Sequence, residues 1–210
     1  MPSSSPSPRK PEDYSQVLAA EEPCDNHLHA FMARPQNMRY EAQQDGEQIL
    51  LFLRRHPITN LPWILLAIFM ILAPFLLLPF FPPFAILPVN FKLVLMLVWW
   101  LFTSGFIIEK LLVWFFESFI ITDERMIDVD FYSLVYKRVN YAQLEKIEDV
   151  DTQTGGVLFS LMDVGSVLVQ TAAEIPQFEI SGIPHPSKVA KLLNELVQEE
   201  QQEKIEGRVR

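Results

Sequence analysis

Two long apolar runs constrain this chain more than any other feature. Residues 61–81, "LPWILLAIFMILAPFLLLPFF", contain no charge, and residues 89–108, "VNFKLVLMLVWWLFTSGFII", contain only Lys92. At 1.5 Å per residue, a helix of either length spans roughly the 30 Å hydrocarbon core of a bilayer. A soluble helical hairpin is the alternative, but it would leave a large apolar surface uncovered. We therefore predict a two-helix transmembrane hairpin over residues 61–112, with spans 61–81 and 89–108.

Prolines and basic residues add detail to this hairpin. Pro74 and Pro79 remove interior hydrogen bonds and should kink the first span. Basic residues lie before the first span and after the second, whereas Lys92 is the only one near the intervening turn. The flanking residues are Arg34, Arg39, Arg54, Arg55, Lys110 and Arg125. By the positive-inside rule, we expect a multi-pass protein of the cell membrane with both termini in the cytoplasm.

The first 40 residues are rich in Ser, Pro and charge. Their apolar content is too low to offset the entropy of ordering them, so we predict a disordered tail over residues 1–40. Cys24, His27 and His29 lie close together in it and are potential zinc ligands, but no second cluster completes a four-ligand site. The single cysteine also excludes an internal disulfide.

Residues 41–60 are interpreted as a juxtamembrane segment. Ile49, Leu50 and Leu53 would share one face of a short helix, and a short β-strand is the competing interpretation. The basic residues and His56 that follow fit a lipid headgroup boundary, where histidine is more often an interfacial residue than a catalytic one.

After the hairpin the apolar period changes from that of a helix to that of a strand. Trp114 to Phe116 fit either an interfacial belt or the start of the first strand. Beyond Ser118, apolar residues alternate with Asp128 and Asp130, as in a half-buried strand, and "TDE" at 122–124 predicts a hairpin turn. Two further strands follow, one to about Tyr141 and one from about Lys146, with a bulge where the apolar phase slips.

The remaining sequence predicts more strands and one final helix. Gly155 and Gly156 precede a compact turn, "VLFSLM", and "VGSVLVQTA" and "QFEISGI" read as strands. Residues 186–203 then place apolar side chains on one face at helical spacing. Those side chains are Val189, Leu192, Leu193, Leu196 and Val197. We predict a mainly-β domain over residues 113–203, closed by an amphipathic helix, and a tail at 204–210.

These motifs, in this order, resemble the bacterial pleckstrin-homology-like domains of membrane proteins, often called YdbS-like. The resemblance covers roughly residues 48–197 and is carried by "RRHP", "ITDERMI", "KIEDV", "GGVLFSLMDVGSVLV" and "IPHPSKVAKLL". It implies about seven antiparallel strands forming a barrel-like sandwich, a capping C-terminal helix and a cytoplasmic location. It implies no catalytic residues.

No pattern in the sequence predicts an enzyme. Asp128 with Asp130 and Asp149 with Asp151 could pair for acid/base work or metal binding, but the first pair alternates with apolar residues and reads as the solvated face of a strand. There is no phosphate-binding loop and no nucleophile elbow. His185, between two prolines, fits a helix start. We expect no catalytic, cofactor-binding or metal-binding residues.

Charge limits the partners. The formal charge of −9 argues against nucleic acid, which requires a basic surface. From residue 117 onward the chain has 9 Lys and Arg against 17 Asp and Glu. An anionic leaflet repels such a domain, and the first hairpin offers Arg125 beside Asp123 and Glu124, so specific phosphoinositide binding is disfavoured.

We therefore expect a non-enzymatic scaffold, anchored in the bilayer, that binds protein partners or itself in the cytoplasm. An auxiliary subunit of a transporter or other membrane complex is the alternative, with the kinked hairpin packed against a larger partner. A membrane-associated enzyme that uses its acidic residues is a weaker alternative.

Overall fold

The computed structural model describes residues 14–24, 29–35, 40, 43, 44, 46–77, 80, 82–131, 136–172 and 177–205. They fall into two compact units, one of residues 57–116 and 131–137 and one of the rest. The helices are α1 (Gln16–Ala20), α2 (Leu61–Leu77), α3 (Pro82–Ile86), α4 (Val89–Phe116), α5 (Val157–Leu161) and α6 (Pro186–Ile205). The strands are β1 (Phe31–Ala33), β2 (Ile49–Arg54), β3 (Ser118–Thr122), β4 (Arg125–Phe131), β5 (Lys137–Gln143), β6 (Ile147–Gln153), β7 (Val164–Thr171) and β8 (Gln177–Pro184).

The first sheet has five strands in the order β1-β2-β3-β4-β5. β2 pairs antiparallel with β1 on one side and with β3 on the other. Residues 49–54 therefore form a strand of the sheet, and the helical interpretation of this juxtamembrane segment is wrong. Its two faces explain the ambiguity: Leu51 and Leu53 lie in the main core, whereas Phe52 lies in a second apolar cluster. A strand buried on both faces has a continuous apolar run instead of an alternating one.

In the sequence, the two long apolar helices lie between β2 and β3, which are paired neighbours in this sheet. Arg54, at the end of β2, and Ser118, at the start of β3, are paired across the strands. The chain thus leaves the sheet after Arg54, forms α2, α3 and α4, and returns beside its point of departure. The sequence predicts that the β domain begins after the hairpin. This prediction is wrong, because the five-stranded sheet contains strands from both sides of the insertion.

The second sheet has three antiparallel strands in the order β6-β7-β8. The pairing of β6 with β7 shifts between Ile147 and Asp149, which is the predicted bulge. The predicted turn "VLFSLM" contains the short helix α5, and Gly156 precedes it with φ of +82°. Such a φ is unfavourable for residues with a Cβ, so glycine suits this entry to the helix.

The C-terminal helix α6 covers the main core. Val189, Leu192 and Leu193 are fully buried on its inner face, as the apolar spacing predicts, and α6 packs against β6 and β7. Each fully buried leucine of this kind contributes about 1.5–3 kcal/mol of transfer free energy.

Part of the predicted disordered tail belongs to the domain core. Leu18 on α1 and Met32 on β1 have no exposed surface. Ser15 caps α1 by accepting a hydrogen bond from the Val17 N–H (3.0 Å), and its hydroxyl donates to Glu195 of α6. The prediction of disorder over 1–40 is therefore wrong for residues 14–24 and 29–35, because these long-range contacts compensate for a weakly apolar sequence. Residues 1–13, 25–28 and 36–39 lie outside the described part of the chain.

The second unit contains the helical hairpin. The indole N–H of Trp99 on α4 donates to the Met70 carbonyl on α2 (2.8 Å), and Thr103 is buried. Most other side chains of both helices are exposed, including Leu65, Phe75 and Leu101. Residues Pro57–Leu77 and Val89–Phe116 are each long and apolar enough to cross a membrane.

The helix ends differ from the predicted spans. α2 ends at Leu77 with Pro74 inside it, and Pro79 lies outside the described residues. α4 continues past the predicted end at residue 108 to Phe116, so Trp114 to Phe116 form its last turn and not the first strand.

Candidate functional site

Polar side chains gather at both ends of the five-stranded sheet. We call the end where Arg54 pairs with Ser118 the helix end, since the apolar helices are inserted there. The opposite end, where Ile49 pairs with Thr122, is the turn end. The predicted "TDE" hairpin turn between β3 and β4 is confirmed and lies at the turn end.

The turn end is built around a buried ion pair. The Glu47 side chain has no exposed surface, and both of its carboxylate oxygens accept hydrogen bonds from the Arg125 guanidinium (3.0 Å from Nε and 2.9 Å from Nη2). The Thr122 hydroxyl donates to Oε1 (2.7 Å), and the Gln44 N–H donates to Oε2 (2.9 Å). This two-pronged geometry is the strongest form of an Arg–carboxylate pair.

These hydrogen bonds determine the ionisation of Glu47. Burial alone would raise its pKa, but the donors, with Arg125 first among them, outweigh burial and lower the pKa to about 2. Glu47 is therefore an anion throughout the physiological range, and the ion pair fastens the segment before β2 to the start of β4.

A cleft of about 310 Å³ adjoins this ion pair. It is lined by Gln44, Glu124, Arg125, Tyr141, Gln143 and Lys146. The guanidinium of Arg125 also lies 5.9 Å from the centre of the Tyr141 ring. Since Glu47 already neutralises Arg125, Lys146 and Glu124 are the remaining charges of the lining, and they balance each other.

The helix end contains carboxylates with much weaker pairing. Asp128 on β4 is only 7% exposed, and its Oδ2 accepts a hydrogen bond from the Asn140 amide of β5 (3.2 Å). Its Oδ1 is buried and has no hydrogen-bond partner among the described residues. Glu117 lies just before β3 and forms an ion pair with Arg55 (2.9 Å).

Both carboxyl groups have raised pKa values. Burial, followed by the nearby charge of Asp130, raises the pKa of Asp128 to about 7. Burial likewise raises the pKa of Glu117 to about 7, against the opposing effect of Arg55. Asp128 and Glu117 therefore change protonation state near neutral pH, whereas Glu47 at the turn end stays ionised.

The interpretation of Asp128 as part of a solvated strand face is wrong. Both faces of β4 are covered, because Met126 belongs to the main core and Ile127 to the second apolar cluster. Alternation in the sequence identified the strand, but it could not show that the acidic face is covered too. Asp149 and Asp151 on β6 are exposed, as a solvated face requires.

The histidines that the structure describes form no cluster of three with each other or with Cys24. His185 lies at the strand-to-helix junction before α6, as the sequence predicts, and Asp163 directly precedes β7. His185 Nδ1 lies 2.5 Å from Asp163 Oδ2, and both residues have positive φ. His56 is near His185, and burial, then that neighbour, lower its pKa. Among the described residues no three His, Cys, Asp or Glu side chains could hold a metal ion together. His27 of the sequence cluster around Cys24 lies outside the described residues.

Comparisons with known proteins place this architecture in a family. No curated protein matches the chain. A solved structure of a DUF1696 family protein with a pleckstrin-homology domain, from Shewanella loihica PV-4, is 16% identical, with a TM-score of 0.31 over 39% of this chain and 70% of that chain. The family model described as "Bacterial PH domain" matches residues 57–197, which is more than half of the chain. This protein is therefore a member of the bacterial PH domain family.

Proposed function

We propose that this protein is a bilayer-anchored PH domain that serves as an interaction module for other proteins. In this proposal α2 and α4 cross the cell membrane, and the β domain lies in the cytoplasm. The observation that carries the proposal is the insertion of two exposed apolar helices between the paired residues Arg54 and Ser118. Because both connections between the helices and the sheet are short, membrane-spanning helices would tether the β domain to the bilayer.

The charges favour protein partners over anionic lipid. Two cationic side chains, Arg125 and Lys146, line the cleft, and Glu47 neutralises Arg125. From residue 117 onward the excess of Asp and Glu repels an anionic leaflet. We therefore propose no phosphoinositide site in this domain.

The proposal assigns no catalysis. Asp128 has the raised pKa that an acid/base catalyst needs, but its carboxyl is almost wholly buried and a substrate has little access to it. Replacing Asp128 by Asn should therefore leave partner binding and growth of the cells unchanged.

Membrane extraction tests the anchor. Full-length protein in membrane vesicles should stay in the pellet after washing with alkaline carbonate and with high salt, and detergent should release it. Release by carbonate alone would contradict the proposal, because a spanning hairpin is held by its apolar surface and not by charge.

Crosslinking in intact membranes tests the interaction. Photoreactive residues on the β domain, at the exposed Asn194 of α6 and Leu161 of α5, should form adducts with other proteins. A photoreactive residue at Phe102, exposed on α4, distinguishes the alternative of an auxiliary subunit, which would give adducts with a polytopic membrane protein. Absence of protein adducts at every position would contradict both functions.

A further inference from the structure

The connection between β6 and β7 ends in an uncovered apolar tip. Val157 and Leu161 of α5 are 88% and 81% exposed, and Leu158 and Met162 are nearly half exposed. A Cβ added at Gly156 would meet no atom within 4 Å, so the approach to the tip is open. Scattered exposed leucines are common, but three apolar side chains on one short helix and a fourth at its C-cap form a patch of the kind that binding partners cover.

The sheet next to this tip has no cations. Between residues 147 and 187 the sequence contains six Asp and Glu residues and no Lys or Arg. On the outer face of the sheet, Asp151 of β6 is paired with Leu168 of β7, and Leu168 is paired with Glu179 of β8. Asp151 and Glu179 are exposed, and Leu168 between them is half-buried.

The orientation of this outer face follows from the strands. Val150 packs against the main core and Val169 opposite it is fully buried, so the neighbouring residues on both strands point away from the core. Asp149, which is also exposed, shares the outer face with Asp151. α5 joins β6 to β7 and packs against β7, so it lies at the end of the sheet where those two strands meet.

We infer that the α5 tip and the acidic outer face of the β6-β7-β8 sheet together form the docking surface for a basic, amphipathic segment of a partner protein. This inference rests on the proposed interaction function and names the class of its partner. Apolar side chains of the segment would cover Val157 and Leu161, and its Lys or Arg residues would neutralise Asp149, Asp151 and Glu179. An anionic leaflet does not fit the same surface, since these carboxylates would lie against lipid of their own charge.

Site-specific photocrosslinking of the full-length protein in native membrane vesicles tests this inference. A photoreactive residue replaces Leu161, and a second protein carries it at Asn194 on α6 as the control position. Peptides crosslinked through Leu161 should contain Lys or Arg among apolar residues when they are sequenced by mass spectrometry. Raising NaCl from about 0.05 M to about 0.5 M should lower their yield about fivefold, because the Debye length shortens about threefold.

Charge reversal gives a matched pair of variants. Asp149→Lys, Asp151→Lys and Glu179→Lys together should lower the Leu161 adduct at least as much as salt does. Glu22→Lys, Glu124→Lys and Glu145→Lys change the net charge equally at exposed positions elsewhere and should leave the yield unchanged. Circular dichroism of each purified variant verifies that the domain remains folded.

Each other outcome identifies what fails. Leu161 adducts with lipid, with a second copy of this chain or with an uncharged or acidic peptide would overturn the inference, as would a yield insensitive to charge reversal. Adducts from Asn194 without any from Leu161 would overturn the inference and leave the proposed function standing. No protein adducts from either position would count against the proposed function itself.

Discussion

The two ends of the five-stranded sheet shift the pKa of a buried carboxyl group in opposite directions. At the turn end, Glu47 receives both prongs of the Arg125 guanidinium, and its pKa is lowered to about 2. At the helix end, Asp128 has one hydrogen bond, from Asn140, and its pKa is raised to about 7. Burial disfavours the charged form of both groups, so the difference lies in the number and charge of their donors. The ion pair at the turn end therefore stays charged at physiological pH, whereas Asp128 and Glu117 at the helix end gain and lose protons near neutrality.

The largest expected effect on stability comes from breaking the Glu47–Arg125 ion pair. Glu47→Gln removes the anion that compensates Arg125, whose side chain is only 17% exposed, and it should lower the free energy of unfolding by about 3–5 kcal/mol. The measurement is denaturant unfolding of the full-length protein in detergent. Glu124→Gln, at an exposed neighbouring position, is the control and should change stability by less than about 0.5 kcal/mol. Equal effects of the two substitutions would show that Glu47 is not specially paired.

The second effect is a pH dependence with opposite contributions from the two ends. Glu47 stabilises the folded state above its unfolded pKa of about 4.3, and that contribution is lost as the pH falls toward 2. Asp128 and Glu117 act in the reverse sense: their contribution is full below about pH 4 and is lost as the pH rises through 7. Stability should therefore be greatest near pH 4.5.

Asp128→Asn tests this profile, because it removes a carboxyl whose raised pKa makes the folded state less stable as the pH rises. The decline between about pH 4.5 and 7 should become shallower by up to about 1.4 kcal/mol per pH unit, while the acid limb due to Glu47 stays unchanged. Asp151→Asn, at an exposed position of β6, is the control and should leave both limbs in place. A wild-type profile that rises from pH 4.5 to 7 would contradict the assignment.

A smaller effect concerns the hydroxyl beside the ion pair. Thr122 has no exposed surface, donates to Glu47 and accepts from the Arg125 N–H (3.0 Å). Thr122→Val keeps the shape but removes one donor to Glu47 and the acceptor of the Arg125 backbone N–H, so the free energy of unfolding should fall by about 1–3 kcal/mol. Thr152→Val, at an exposed position of β6, should change unfolding by less than about 0.5 kcal/mol.

The smallest expected effect concerns the hydrogen bond between Asn140 and Asp128 at the helix end. Asn140→Ala removes the hydrogen bond that favours the charged form of Asp128, so the pKa of Asp128 should rise further, by less than about one unit. Infrared spectroscopy of the protonated carboxyl stretch across a pH series measures the change, with Asp128→Asn to assign the band. An unchanged or lower pKa would show that Asn140 does not bond to the carboxylate.

The sequence predicts the local parts of this fold well. The β3–β4 hairpin turn, the bulge in β6 and the buried face of α6 follow from turn chemistry and from apolar spacing over a few residues. The family resemblance likewise agrees with the matched family. What the sequence does not predict depends on distant contacts, as in α1, where Ser15 bonds to Glu195, 180 residues away.

The same reason limits what could be predicted of the candidate site. β2 reads equally as helix or strand because neighbours cover both of its faces. Asp128 reads as solvated because alternation identifies two faces of a strand but not what packs against each. The Glu47–Arg125 pair joins positions 78 apart, and neither residue belongs to a motif that signals the other.

The central proposal is that α2 and α4 cross the membrane, with both termini in the cytoplasm. Its most direct test uses a Cys24→Ser background, since Cys24 is the only cysteine, with either Asn90→Cys in the first turn of α4 or Gln198→Cys on α6. A membrane-impermeant maleimide is added to intact cells whose outer surface is accessible. We predict labelling of Asn90→Cys and protection of Gln198→Cys until the membrane is opened. Labelling of both from outside, or protection of both, would contradict the claim.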